Sequence, residues 1–213
     1  CGAKIIMAAS ASAVKELREI SGAGMMDCKR ALDEAGNDIK KAMDVLRKAG
    51  VAKAQKKAGR SASDGMVLPY IHPGSKLGVL LEVNCETDFV AKTEDFQNMV
   101  RDIAMHIAAS GPIAVNKEDV AADVLESEKE IYADQARKSG KPENIIEKMI
   151  EGRISKFYQE NVLMEQDFVK DPSLTINDVI TDMVAKLGEN IIIARFVRFQ
   201  LGETAKKNQE TEA

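Results

Sequence analysis

The sequence predicts an α+β protein: an N-terminal three-helix module, a linker helix, then a small antiparallel sheet covered by helices. Three observations predict it. Apolar residues recur at helical spacing through residues 10–50 and again in four segments between Phe96 and Leu187. Between them, Leu77, Val79, Leu81, Val83 and Cys85 alternate with Gly78, Leu80, Glu82 and Asn84, the period of two of a half-buried strand. A β-rich run from Ile191 to Leu201 supplies a further strand.

Residues 1–9 read as a processed or flexible N-terminus. Lys4 followed by IIMAASASA resembles a signal peptide only faintly, being short, serine-interrupted and run straight into a charged helix. Residues 10–50 form the three-helix module. Val14 and Leu17 mark the inner face of the first helix, with Ile20 close to it. Ser21 to Gly24 is a loop, Met25 to Ala35 a second helix, and Gly36 its stop. Asp38 caps a third, whose Ile39, Ala42, Met43 and Leu46 fall on one face.

Residues 51–64 are a basic linker, and the stretch 47–60 carries six basic residues and no acid. It reads either as a solvated linker helix or as an RNA-binding patch; the absence of interleaved aromatics favours the former. The core domain spans 65–201. It opens with a strand from Met66 to Ile71 and a Pro-Gly turn at His72 to Ser75. Thr87 or Thr93 caps a helix with Phe96, Met99, Val100, Ile103 and Ile107 inward, ended by Gly111-Pro112. A further helix carries Val124, Leu125, Glu128, Ile131 and Tyr132. The next starts at Pro142, with Ile146, Met149, Ile150, Ile154 and Phe157 inward. The last carries Ile176, Val179, Ile180, Met183, Val184 and Leu187, and Gly188 stops it. Residues 202–213 are a polar tail.

Composition excludes several classes. With 45% hydrophobic and 30% charged residues, the chain is globular rather than disordered. A net charge of -4 offers nucleic acid no positive field. No apolar run approaches the roughly 18–20 residues that span a bilayer. Three scattered cysteines fit neither a disulfide framework nor a zinc cage, and two histidines leave little for acid–base catalysis. Dinucleotide, Walker, C-x-x-C, H-E-x-x-H and G-x-S-x-G patterns are all missing. Glu86 and Asp88 beside Cys85 raise its thiol pKa, which disfavours a nucleophile.

Two features stand out. Thr87, Asp88, Phe89 and Val90 lie where a strand ends and a helix begins, at an exposed sheet edge. Either Phe89 is displayed there beside a carboxylate, or it tucks into the core while Asp88 favours the helix N-terminus. Met25 and Met26 follow the glycine loop, with Arg18 on the preceding helix. Adjacent helical positions diverge by about 100°, so one Met is expected outside, where it suits adaptable protein contacts. His106 reads as a satisfied histidine at the core edge.

Val14 to Arg18, SGAGMMDCK at 21–29, EVNCETDFVA at 82–91, IAMHIAAS at 103–110 and GKPENIIEKMIEGRISKF at 140–157 closely resemble the elongation factor Ts family. The similarity runs from about residue 10 to 204, in the family's order. It implies a guanine-nucleotide exchange factor for elongation factor Tu, with no cofactor and no enzymatic activity of its own. The N-terminal module would be a ubiquitin-associated-like fold docking on the GTPase through Arg18, Met25, Met26 and Lys29. Thr87 to Val90 would intrude at the partner's magnesium site, led by Asp88 and Phe89, and His106 would face the partner. The short pattern, one compact core without a duplicated unit or a helical protrusion, implies a homodimer in a 2:2 complex, contacting neither nucleic acid nor membrane. It points to a chloroplast stroma, with bacterial cytoplasm as the alternative. A non-catalytic ribosome-associated or scaffold protein would need the helical module but not Asp88 or Phe89.

Overall fold

The structure is a computed structural model that describes residues 9–138 and 142–203. The expected processed start and polar tail therefore lie, apart from Ala9, Gly202 and Glu203, outside the described residues. Three helices come first: α1 (Ala11–Ser21), α2 (Met25–Ala35) and α3 (Ile39–Lys57). Ser10 and Asp38 cap α1 and α3 by accepting from the Ala13 and Lys41 amides, both at 3.1 Å. Val14, Leu17, Cys28, Ala31, Leu32 and Ala42 form a separate small core, flanked by Ile39, Met43 and Leu46. Ile20 is exposed instead of rimming that core. It sits in the last turn of α1, where Gly22 in the left-handed region turns the chain away before α2 can cover it.

Helix α3 does not stop at residue 50 but runs on through the basic stretch. Among the described residues, four of the six basic residues there are engaged within the chain. Arg47 pairs with Asp178 at 3.1 Å, Lys53 with Asp27 at 2.7 Å and Arg60 with Glu86 at 3.5 Å, while Lys57 donates to the Gly188 carbonyl. The stretch is a strap tied to the rest of the chain while its side chains stay largely in solvent, Arg47, Lys53 and Arg60 being 59%, 44% and 52% exposed. Gly50 helps it sit close, because a Cβ there would already touch the Ala185 methyl at 3.4 Å.

The sheet has strand order β1 (Asp64–Ile71), β2 (Leu77–Cys85), β5 (Ile191–Gln200), antiparallel throughout. One face buries Val79, Leu81, Val83 and Cys85 against α5 (Glu94–Ser110), whose Phe96, Met99, Val100, Ile103 and Ile107 point inward as the spacing predicts. Helix α8 (Ile176–Leu187) adds Ile176, Ile180 and Val184 to the same core. Among the described residues, helices cover only this face. On the other, Val67, Ile71, Leu80, Val197 and Phe199 are exposed.

Helices α6 (Ala122–Arg137) and α7 (Glu143–Asn161) pack chiefly on each other. Their base is a third small cluster of Ala114, Val120, Phe157 and Val162. The expected absence of a helical protrusion is thus corrected: this hairpin is one. Because it rests on its base alone, Val124 and Ile131, expected on the inner face of α6, are exposed. A two-stranded hairpin, β3 (Asp167–Phe168) with β4 (Asp171–Thr175), precedes α8 and was not expected. Two residues are too few to show alternation, and Asp171-Pro172-Ser173 reads as a turn. Among the described residues, no helix is long and apolar enough to cross a membrane.

Candidate functional site: an exposed tip and a methionine surface

Strand β2 ends at Cys85, and after Glu86 and Thr87 the chain turns into the four-residue helix α4 (Asp88–Ala91). Both threonines open helices, since Thr93 caps α5 through the Phe96 amide at 3.3 Å. Four residues in helical geometry send successive side chains about 100° apart. Val90 and Ala91 turn into the core and pin the helix, while Phe89 is 80% exposed. Of the four residues expected to intrude together, the structure therefore displays two. Val90 is 9% exposed and belongs to the core, and the Thr87 hydroxyl is turned back to donate to Glu189 Oε1 at 2.6 Å. Asp88 is half-buried, and its carboxylate accepts from Lys92 Nζ at 2.5 Å. That hydrogen bond holds the Asp88 carboxyl below its ordinary range, so the tip carries a carboxylate at neutral pH.

The base of the tip is clamped from the turn between α8 and β5. Glu189 Oε2 accepts the Glu86 and Thr87 amides at 3.1 and 3.0 Å. In return, Glu86 Oε1 accepts the Asn190 amide at 2.7 Å, and the Asn190 side chain donates to the Arg60 carbonyl at 2.9 Å. Cys85 is buried beneath, its thiol donating to the Thr87 carbonyl at 3.1 Å. Burial, reinforced by Glu189, pushes that thiol pKa up, which suits packing and not nucleophilic chemistry. Glu189, Asn190 and Arg60 escaped sequence reasoning, because partners about 100 residues apart leave no local signal, whereas Lys92, four positions after Asp88, was a local i,i+4 signal that went unread.

The second surface is at the α1–α2 turn. Arg18, Met25, Met26 and Lys29 are all exposed. One methionine was expected outside; both are, at 58% and 64%. They fill the first turn of α2, and the buried face of the helix starts only at Cys28.

His106 differs from its expected role. It is 0% exposed, so it has no surface to offer a partner. The ring accounts for both nitrogens: Nε2 donates to Gln166 Oε1 at 2.9 Å, and Nδ1 accepts the Val169 amide at 3.3 Å. Burial draws its pKa down, keeping it neutral. What it fixes is the exposed Val169-Lys170 turn between β3 and β4, which Lys170 also ties to Asp102 at 2.6 Å.

The sequence model described as "Elongation factor TS" matches residues 2–203. An elongation factor Ts of Caldanaerobacter subterraneus subsp. tengcongensis is 59% identical over 198 residues, 93% of this chain and 99% of the relative. That of Geobacter sulfurreducens is 57% identical over 203 residues, 95% of this chain and 94% of the relative. That of Fervidobacterium nodosum is 57% identical over 197 residues, 92% of this chain and all of the relative. With its matched relatives bacterial and the family model spanning nearly the whole chain, this protein belongs to the elongation factor Ts family of translation elongation factors.

Proposed function

We propose that the protein is a guanine-nucleotide exchange factor that binds elongation factor Tu·GDP, perturbs its magnesium and phosphate site and promotes GDP release. The observation that carries this is Phe89: a large apolar ring held out in water on a short helix that Val90 and Ala91 anchor in the core. An exposed Phe braced in this way suits insertion between two elements of a partner. Asp88 beside it supplies a negative charge where a divalent ion's ligands or waters could be disturbed. In GTPases that ion is among the largest local charges holding the nucleotide.

The methionine surface serves as the docking element, in a module of ubiquitin-associated-like type. Arg18 and Lys29 flank adaptable Met25 and Met26, so docking tolerates movement while the tip works. By linkage, a factor that prefers the nucleotide-free partner weakens GDP by the same factor by which GDP weakens it. No covalent bond is made or broken, and no cofactor is called for; the factor is not an enzyme. The open apolar face of the sheet supports a homodimer and hence a 2:2 complex. The organisms of the matched relatives favour a bacterial cytoplasm over a chloroplast stroma.

Calorimetric titration of this protein into nucleotide-free and GDP-bound elongation factor Tu tests the reading. Exchange requires binding at least about tenfold tighter to the nucleotide-free form. Equal affinity for the two forms would instead identify a scaffold that uses the helical module alone.

A further inference from the structure

We infer that Glu189 is a positioning residue for the tip: it sets the angle at which Asp88 and Phe89 are presented, and so controls the rate of GDP release without contacting the partner. This rests on the exchange reading above. Thr87 occupies the N-cap position of α4, yet its side chain makes no capping bond to that helix. The hydroxyl is spent on Glu189 Oε1, at 2.6 Å, while Glu189 Oε2 takes the two amides that lead into the helix. A four-residue helix has no stability of its own, because nucleating one turn fixes several dihedrals for a single hydrogen bond. Its direction must therefore come from outside. Val90 and Ala91 anchor its underside; Glu189 fixes its entry.

The clamp is reciprocal, which makes it stiff. Glu86 grips the Asn190 amide one residue beyond Glu189, so the segment after β2 and the turn before β5 hold each other by two carboxylates crossing in opposite directions. Arg60 closes the third side, its guanidinium on Glu86 and its carbonyl taking the Asn190 side chain. The strap from the docking module thus ends on the same few residues that aim the tip. Glu189 is half-buried and both its carboxylate oxygens are engaged by the approach to the tip, so an effect of its mutation on release is expected to pass through Asp88 and Phe89.

The test is stopped-flow release of a fluorescent GDP from elongation factor Tu, over a range of factor concentrations. The proteins are wild type, Glu189→Ala, Thr87→Val, Phe89→Ala and the double variant Glu189→Ala/Phe89→Ala. Alanine removes both carboxylate oxygens and with them all three bonds, whereas glutamine could keep them, its carbonyl serving the two amides and its NH2 donating to the Thr87 hydroxyl. Glu189→Ala is expected to lower the maximal release rate by about tenfold or more, with the half-saturating concentration unchanged. Thr87→Val, which deletes only the hydroxyl bond, should lower it in the same sense. The double variant should be no slower than Phe89→Ala alone, because a residue acting through the tip has nothing left to aim. A merely structural role would instead raise the half-saturating concentration, or slow the double variant further. Either result overturns the inference, as does a wild-type rate in Glu189→Ala. A wild-type protein that fails to accelerate release overturns the exchange reading itself, and this role with it.

Discussion

Phe89 leaves a benzyl group in water, where burying a side chain of that size would stabilise the fold by about 1.5–3 kcal/mol. It contributes nothing to the core, so Phe89→Ala is expected to change stability by no more than about 0.5 kcal/mol in urea unfolding. A larger loss would place the ring in the fold and not in a partner. His106 shows the opposite arrangement. Its pKa is drawn below 6.5 by burial, so the unfolded chain takes up a proton before the folded one does. Its contribution is therefore complete above 6.5, and is lost progressively as pH falls from there through the depressed folded value. His106→Gln keeps a donor and an acceptor but does not titrate. Urea unfolding at pH 7.5 and 5 should show a smaller loss for the variant than for wild type; equal losses would assign the acid sensitivity to other groups. The residue types at both sites were legible in the sequence, but their directions were not. Whether Phe89 pointed out or in depended on Val90 anchoring α4, and the burial of His106 on Gln166, 60 positions away.

Helices α1, α2, α5 and α8, and strands β2 and β5, follow from the chain's own periodicity, because each lays one apolar face on a core. Where an element is held by something other than such a face, periodicity fell short. Helix α3 runs past its apolar stripe because its basic residues find Asp27, Asp178 and the Gly188 carbonyl far along the chain. Strand β1 begins at Asp64 and not Met66 because Gly65 joins the ladder at a φ of 141°, lying against Asn84. A Cβ there would meet the Val83 carbonyl oxygen and come within 2.7 Å of the Asn84 Cα. Gly65→Ala is accordingly expected to cost about 2 kcal/mol or more in chemical denaturation, and an unchanged midpoint would contradict this register. The capping box of α8, in which Thr175 and Asp178 exchange bonds, also receives Arg47 from the strap. Thr175→Ala should cost about 1 kcal/mol by the same measurement.

Over the whole molecule, two exposed surfaces share one frame: the methionine turn on a small helical module, and the tip at the end of the sheet, joined by a strap that Arg47, Lys53 and Arg60 tie by ion pairs within the chain. The open sheet face is a third feature. Leu80 faces Pro69 and Val197, and Gly78 faces Ile71 and Phe199, a continuous apolar band across three strands. If a second copy covers it, Phe199→Asp should convert a dimer into a folded monomer in sedimentation velocity; a wild-type monomer would assign the band to something else. The central claim is that the tip drives nucleotide release, and its most direct test is the release of fluorescent GDP from elongation factor Tu by wild type and Phe89→Ala side by side. Strong acceleration by wild type, largely lost in the variant while binding persists, is the predicted result. Equal acceleration by both proteins would contradict it.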